Sequence, residues 1–491
     1  MARHPFFATK SIEALRREMV ATHGLKRTLS AFDLTLLGIG AIMGTGVFVI
    51  TGQAAAQHAG PAVIISFFIA GAAAMLAALC YSEMAAMIPV AGSAYTYAYA
   101  AMGEGVAFLI GWDLILAYAV SSAMVSVGWS GYVAAFLRHV TGYELPWKYS
   151  STPLIWNSTS QSLEATGAFV NLPAMAITLM MTLLLIFGIR ESARFNAAIV
   201  FIKVAVVLIF LIAATPFVEP HNWVPFLPPN TGTFGDFGTS GVFRAATLVF
   251  VSYIGLDAVS VAAQEARNPQ RDVPIGILAS LGVCTTLYIA VALVLTGVVS
   301  YRTLAVPHPI AVGIAVTGIG WLETLVDVGA IAGLSSVILV VQLAQPRVIM
   351  AMARDGLLPA FAGYVHPRFG TPHLTTALSG LVVALAGGFF SVDVLSELIA
   401  IGILFAFTLV SLGVMVLRLT RPELPRPFRL PGGPFLIPLT TTAISIGLLT
   451  TTSRFGLTRM GIWLALGAVF YFIYGRRHSK LRAAGAGGEI A

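Results

Sequence analysis

Two short stretches of this 491-residue chain break the rules of the segments that contain them. GIGAIMGTGVF, from Gly38 to Phe48, puts four glycines into an apolar run. FVSYIGLDAVS, from Phe250 to Ser260, places Gly255 two residues before Asp257. A helix that stops and restarts turns its own backbone into a ligand. Unwinding at Gly44–Thr45–Gly46 bares amide N–H groups at the start of a half-helix, a seat for a carboxylate. Unwinding near Val251–Gly255 bares carbonyls at the end of another, which suit an ammonium. An α-amino acid carries both charges on one carbon, and binding it this way needs no catalytic side chain. The chain offers none: HExxH, a P-loop and a zinc-deaminase signature are absent, so an enzyme is not expected. One more residue stands out. Lys203 is the lone cation of NAAIVFIKVAVVLIFLI, and an ionisable group at such depth is a functional candidate by default.

Each feature has a plainer explanation beside it. Gly40 and Gly44 satisfy GxxxG, a helix-packing motif. The glycine spacing GxGxxxGxG is not the dinucleotide fingerprint, and no strand precedes it. Asp257 can cap the half-helix that follows Gly255. Lys203 can snorkel, although with about seven residues to the start of its apolar run the head would have to climb roughly 10 Å. Glu83 and Asp113 read as groups at hydrated helix ends. What raises a broken-helix site above these readings is the pairing, because Gly-interrupted spans at corresponding places in two halves mark transporter sites.

The elements that position these residues follow from composition. Hydrophobic residues make up 57 % of the chain and charged ones 10 %, against about 25 % charged in soluble proteins. A soluble enzyme, a nucleic-acid-binding protein and a disordered chain are therefore excluded, despite the net charge of +7. The two cysteines, Cys80 and Cys284, lie in apolar runs and supply neither a disulfide framework nor a zinc site. Apolar runs of about 20 residues number twelve, giving an all-α membrane protein of 12 transmembrane helices, the third and eighth being long. The expected organisation is a segment 1–30, five helices over 31–215, five more over 241–418, two over 435–475 and a tail over 476–491. No apolar core precedes a cleavage site in the first thirty residues, so the first span is expected to target the chain. Twenty-one Lys and Arg fall on the side of the termini and six on the other, with Lys203 left inside. The positive-inside bias then makes both termini cytoplasmic; the expected location is the cell inner (plasma) membrane.

With these residues in view, the chain resembles the cationic amino acid transporter family of the amino acid–polyamine–organocation superfamily. The resemblance rests on SIEAL at Ser11–Leu15, GLKRTL at Gly24–Leu29, GIGAIMGTGVFVITG at Gly38–Gly52 and GSAYTYAYA at Gly92–Ala100. It continues with GWDLIL at Gly111–Leu116, EARNPQRDVPIGI at Glu265–Ile277 and PRVIMAMARDGLLP at Pro346–Pro359. It implies an inverted 5+5 repeat with discontinuous helices 1 and 6, and secondary transport of amino acids by alternating access. Carried over, the carboxylate site falls on Thr45 and Gly46 with Ile42 and Gly44 beside them, and the ammonium-binding carbonyls on Val251, Ser252 and Ile254. In similar proton-coupled proteins a lysine stands where Lys203 does, in place of a sodium ion. Its contacts here would be the Gly40 or Met43 carbonyl and the Ser335 or Ser336 hydroxyl. Asp257, Ala117 and Tyr253 are expected beside the site as gating or secondary residues. Two departures bear on substrate: Ala117 where some similar bacterial proteins have Glu, and Val251 where the superfamily often has an aromatic gate. Ala117 favours neutral amino acids and Val251 leaves room for medium-to-large apolar side chains, with arginine, lysine or ornithine transport and amino acid exchange as alternatives and an intramembrane enzyme or a channel as distant ones. A proton is the expected coupling ion and no other cofactor is implied. The expected partners are the amino acid and the lipid bilayer, without nucleic acid; a small membrane subunit and a homo-oligomer both stay open.

Overall fold

The computed structural model describes residues 5–12, 15, 29–88, 93–157, 162–187 and 193–482. Gly24–Thr28, Glu13, Ala14 and Gly92 lie outside the described residues, as does the side chain of Glu265. The chain is helical, apart from one two-stranded antiparallel hairpin pairing Leu154–Asn157 with Ser162–Ala165. The main helices are α1 (Ala31–Ile42), α2 (Val63–Met87), α3 (Glu104–Thr141), α4 (Leu172–Phe187), α5 (Ala193–Ala214), α6 (Gly238–Val249) and α7 (Leu256–Val261). They continue with α8 (Pro269–Val298), α9 (Gly320–Arg354), α10 (His373–Phe389), α11 (Val392–Thr420), α12 (Leu436–Leu449) and α13 (Arg454–Phe470). Among the described residues, seven helical segments are long and apolar enough to cross a membrane, one of them the 57-residue run Ala31–Met87. Three shorter apolar helices, α4, α10 and α12, join them.

Apolar side chains cover the outside as well as the core. Leu183, Phe187, Phe201, Ile212, Val382, Ile462 and Val469 are exposed, a surface that water would not tolerate but hydrocarbon does. This is a multi-pass membrane protein. Inside, the two longest helices, α3 and α9, pack along each other, and α8 lies against both α1 and α2. Helix α1 starts at a capping box: Ser30 Oγ accepts from the Asp33 amide, and the Ser30 amide donates back to Asp33 at 2.9 Å.

Glu83 is not at a hydrated helix end. Its carboxylate is buried and accepts from both Arg418 Nε, at 2.8 Å, and Arg418 Nη2. It also takes the Leu430 amide at 2.9 Å, and Arg426 Nε lies 3.5 Å away. The end of α2 is thereby tied to the end of α11 and the loop after it, a pairing that rewards burial only when every lone pair is met.

His308, in the connection between α8 and α9, gives the fold a pH dependence. Burial, followed by the charges of Arg138 and His139, pushes its imidazole down to about 4. The unfolded chain takes up a proton near pH 6.5 that the folded protein refuses until about pH 4. Stability is therefore lost as pH falls through that interval, by up to about 3 kcal/mol. The melting temperature in detergent should drop less steeply from pH 6.5 to 4 in His308→Phe than in the wild type.

Candidate functional site

The two breaks face each other. Helix α1 ends at Ile42, Met43 turns extended at ψ 90°, and Gly44 lies in the bend. Thr45 already has helical angles, and Gly46–Ile50 forms a π-helix. On the other side α6 tightens into a 3-10 turn at Phe250–Tyr253. Ile254 is extended, Gly255 takes φ +97°, and α7 begins at Leu256. Both gaps are narrower than the sequence implied. The non-helical residues are Met43–Gly44 rather than Gly44–Gly46, and Ile254–Gly255 rather than Val251–Gly255. The reason is that π and 3-10 turns keep backbone groups paired at a depth where an orphan costs several kcal/mol.

Glycine is required at two of these places. A Cβ at Gly255 would lie 2.8 Å from the Ala41 carbonyl oxygen on a backbone that already disfavours side chains. One at Gly46 would lie 2.4 Å from Ser252 Cβ. Close contact between the broken segments is thus written into both.

Helix geometry leaves the first amides of a half-helix without intrahelical acceptors. After the Met43–Gly44 bend, the Phe48 amide reaches the Gly44 carbonyl at 3.1 Å, so the amides before it, around Thr45 and Gly46, form the positive end. Across from them, the Val251 carbonyl takes the Ile254 amide at 3.1 Å. The carbonyls of Ile42 and Ser252 share the hydroxyl of Tyr288, at 2.7 and 3.1 Å. Tyr288 was not among the residues the sequence singled out. A tyrosine in the middle of an apolar run, where no interface can anchor it, was the available signal. Ser252 Oγ is buried and makes no hydrogen bond among the described residues. A void of about 20 Å³, bordered by Ala117, Tyr118, Tyr253, Ile254, Gly255 and Asp257 among others, lies at the second break and has room for one water.

Lys203 is fully buried. Its ammonium donates to the Gly40 carbonyl at 3.0 Å and to the Met43 carbonyl at 3.4 Å, at the point where α1 gives way. Ser335 and Ser336 do not join it. Ser336 Oγ donates to Gly333 at 3.0 Å; Ser335 Oγ donates to Ile331 at 2.7 Å and accepts the Trp129 indole at 2.9 Å. Hydroxyls on an apolar helix satisfy themselves on the preceding turn, and Trp129 fills what remains. Asp257 stands inside the first turn of α7 rather than at its cap, where the helix dipole favours it. Its Oδ2 accepts from Tyr118 and, at 3.2 Å, from Ser93. Tyr253 is buried and its hydroxyl reaches the Phe67 carbonyl of α2 at 3.4 Å.

A larger cavity of about 310 Å³ opens beyond the breaks. Ile50, Gln57, Trp156, Leu248, Asp393 and Glu397 are among the residues that line it. At the opposite end of the molecule, Lys10 bonds Asp355 at 2.9 Å, and Glu104 gathers Tyr99, Tyr471, Ser479 and Arg482.

Comparison with known proteins adds to this geometry. The family described as amino acid permease matches residues 29–475. A branched-chain amino acid permease of Bacillus subtilis (strain 168) is 45 % identical over 476 residues, covering 97 % of this chain and 98 % of that one. A methylthioribose transporter of the same organism is 43 % identical over 475 residues, 97 % and 99 % of the two chains. The vacuolar cationic amino acid transporter 4 of Arabidopsis thaliana is 38 % identical over 401 residues, 82 % of this chain and 65 % of the other.

Proposed function

We propose, for a chain that belongs to the amino acid permease family, a proton-coupled symporter of neutral L-amino acids that works by alternating access. It is a transporter, and amino acid transport is its family's activity. The proton, the neutral cargo and the site are our reading. The observation that carries it is the ammonium of Lys203 on the Gly40 and Met43 carbonyls. A fixed cation at a helix break does the work that a bound metal cation would otherwise do, and a lysine can exchange a proton where sodium cannot. Substrate then meets the amides at Thr45 and Gly46 with its carboxylate, and the carbonyls of Val251, Ser252 and Ile254 with its ammonium, displacing the Tyr288 hydroxyl.

Twelve spans agree with the element order. Counting Ala31–Met87 as two and adding the three short helices and the interrupted α6–α7 segment to the other long ones gives that number. The proposed repeats are 31–215 and 241–418, with both termini cytoplasmic and the chain in the plasma membrane. The 310 Å³ cavity would then open to the outside.

Neutral cargo is favoured by the surroundings of Ala117. The carboxylate beside it, Asp257, is taken by Tyr118 and Ser93, and an unpaired cationic side chain in a dry pocket costs several kcal/mol. A relative named for branched-chain amino acids agrees with this. A second reading, a neutral thioether sugar, follows from the relative named for methylthioribose. Uptake of labelled L-leucine into proteoliposomes, with and without an imposed pH gradient and with arginine and methylthioribose as competitors, separates the possibilities. Arginine outcompeting every neutral compound would overturn the neutral reading.

Val251 is fully buried in the 3-10 turn. Phenylalanine there overfills the space by an amount worth about 1–3 kcal/mol. Val251→Phe should therefore lower L-leucine uptake about tenfold relative to L-alanine and leave the pH dependence in place. An unchanged size profile in competition assays would reject this pocket assignment.

A further inference from the structure

Asp113 has no part in the site described above, yet it is the kind of residue a membrane protein does not keep idly. It lies nine residues into α3, about 14 Å along the helix from Glu104. It is fully buried, and neither carboxylate oxygen accepts a hydrogen bond from any described residue. Its neighbours hold it there. The indole of Trp112 donates to the Trp463 carbonyl at 3.0 Å, and that of Trp463 donates to the Trp112 carbonyl at 3.1 Å, which locks α3 to α13 one residue away. Gly402 of α11 approaches so closely that a Cβ on it would lie 2.9 Å from Asp113 Oδ1. The 20 Å³ void begins next door, with Leu114, Tyr81, Gly402 and Asp257 all on its border.

An ionised, unpaired carboxylate at this depth costs several kcal/mol, and a neutral carboxylic acid far less. We propose that Asp113 is a proton-exchange site of the transport cycle: it holds its proton while α11 packs on α3 and releases it to water when the two helices part. The step is a simple acid dissociation. The O–H bond breaks, the electron pair stays on the carboxylate, and the proton passes to water entering from the void. The inference rests on the proton-coupled reading and adds a second titrating group to it.

Of the helices packed on α3, α9 carries Glu323, Asp327, Arg347 and Arg354 and α11 carries Asp393, Glu397 and Arg418, all towards the helix ends. Tyr81 of α2 is within electrostatic reach of both Asp113 and Asp257. Tyr118 is on the next turn of α3. On α11 and α13, Glu397 and Arg459 pair with each other at 3.5 Å, further towards the helix starts. Glu397 also bonds Arg244 and Ser453.

The test is infrared difference spectroscopy on the full chain in lipid nanodiscs, with and without L-leucine, over a pH series. The expected result is a protonated-carboxyl band that responds to L-leucine and to pH and is missing in Asp113→Asn. The band should shift in Gly402→Ala, where the acid remains but its neighbour on α11 gains a methyl group. In parallel, the L-leucine dissociation constant should change by up to about tenfold per pH unit in the wild type for one linked proton, and less steeply in Asp113→Asn. No band assignable to Asp113, a band indifferent to L-leucine and pH, or sodium replacing the proton in these titrations would overturn the proposal. Absence of pH-driven uptake by the wild type would instead overturn the coupling reading, because the band is recorded without any gradient.

Discussion

Lys203→Ala should reduce pH-driven accumulation of substrate to the level of protein-free liposomes. The substitution removes the donor that the structure gives to the Gly40 and Met43 carbonyls and leaves a space where the buried stem lay against the backbone of Gly333. Two carbonyls left without a partner cost about 1–3 kcal/mol each. At 1.4 kcal/mol per tenfold, the bent conformation of α1 becomes at least about thirtyfold rarer. Alanine and methionine at this position separate the two parts of the effect. Lys203→Met refills the volume but supplies no donor, so it should recover only the part of the melting temperature that the cavity costs and leave accumulation abolished. Unchanged pH-driven uptake in Lys203→Ala, or full sodium dependence in the wild type, would reject the assignment.

Glu83→Ala should be the most destabilising single substitution outside the broken helices. It leaves the buried Arg418 and the half-buried Arg426 without their carboxylate and strands the Leu430 amide. Breaking one partner out of a buried pair costs about 3–5 kcal/mol, enough to lower both the yield of folded protein and its melting temperature in detergent. Glu83→Gln keeps an acceptor oxygen and should fall between the two. A melting temperature for Glu83→Ala equal to that of the wild type would show that the arginines find other partners. Arg418 also donates to the Gly433 and Leu430 carbonyls, and that is the route by which the prediction would fail.

What the sequence could reveal was local. Glycine clusters mark places where a helix can bend, and a lysine with nowhere to go in hydrocarbon has to find carbonyls, so Gly44, Gly255 and Lys203 stand out from their neighbours alone. The exact residues of each bend were not legible, because whether a turn closes as π, 3-10 or α depends on what packs against it: Ser252 against Gly46, and Ala41 against Gly255. Pairings across the chain were invisible for the same reason. Glu83 and Arg418 are 335 residues apart, and Tyr118 and Asp257 are 139 apart. A single sequence gives no sign that their helices are neighbours. Tyr288 fell between these cases, conspicuous by its place in the run but silent about its partners. The hydroxyls of Ser335 and Ser336 were assigned to Lys203 by resemblance and are in fact consumed on their own helix.

The hydroxyl of Tyr288, shared between the Ile42 and Ser252 carbonyls, bears on the half of the cycle in which nothing is carried. A carrier that unloads its cargo inside must travel back with its binding groups bare. Bare carbonyls at mid-membrane raise the barrier to that return, and a high barrier there is what makes a protein an obligate exchanger, able to move only when loaded. On the proposed reading, a tyrosine that steps in as the cargo leaves would keep those oxygens hydrogen-bonded, and the unloaded return stroke would proceed without uncovering them. Net uptake, and not only one-for-one swapping, would then be within the chain's reach.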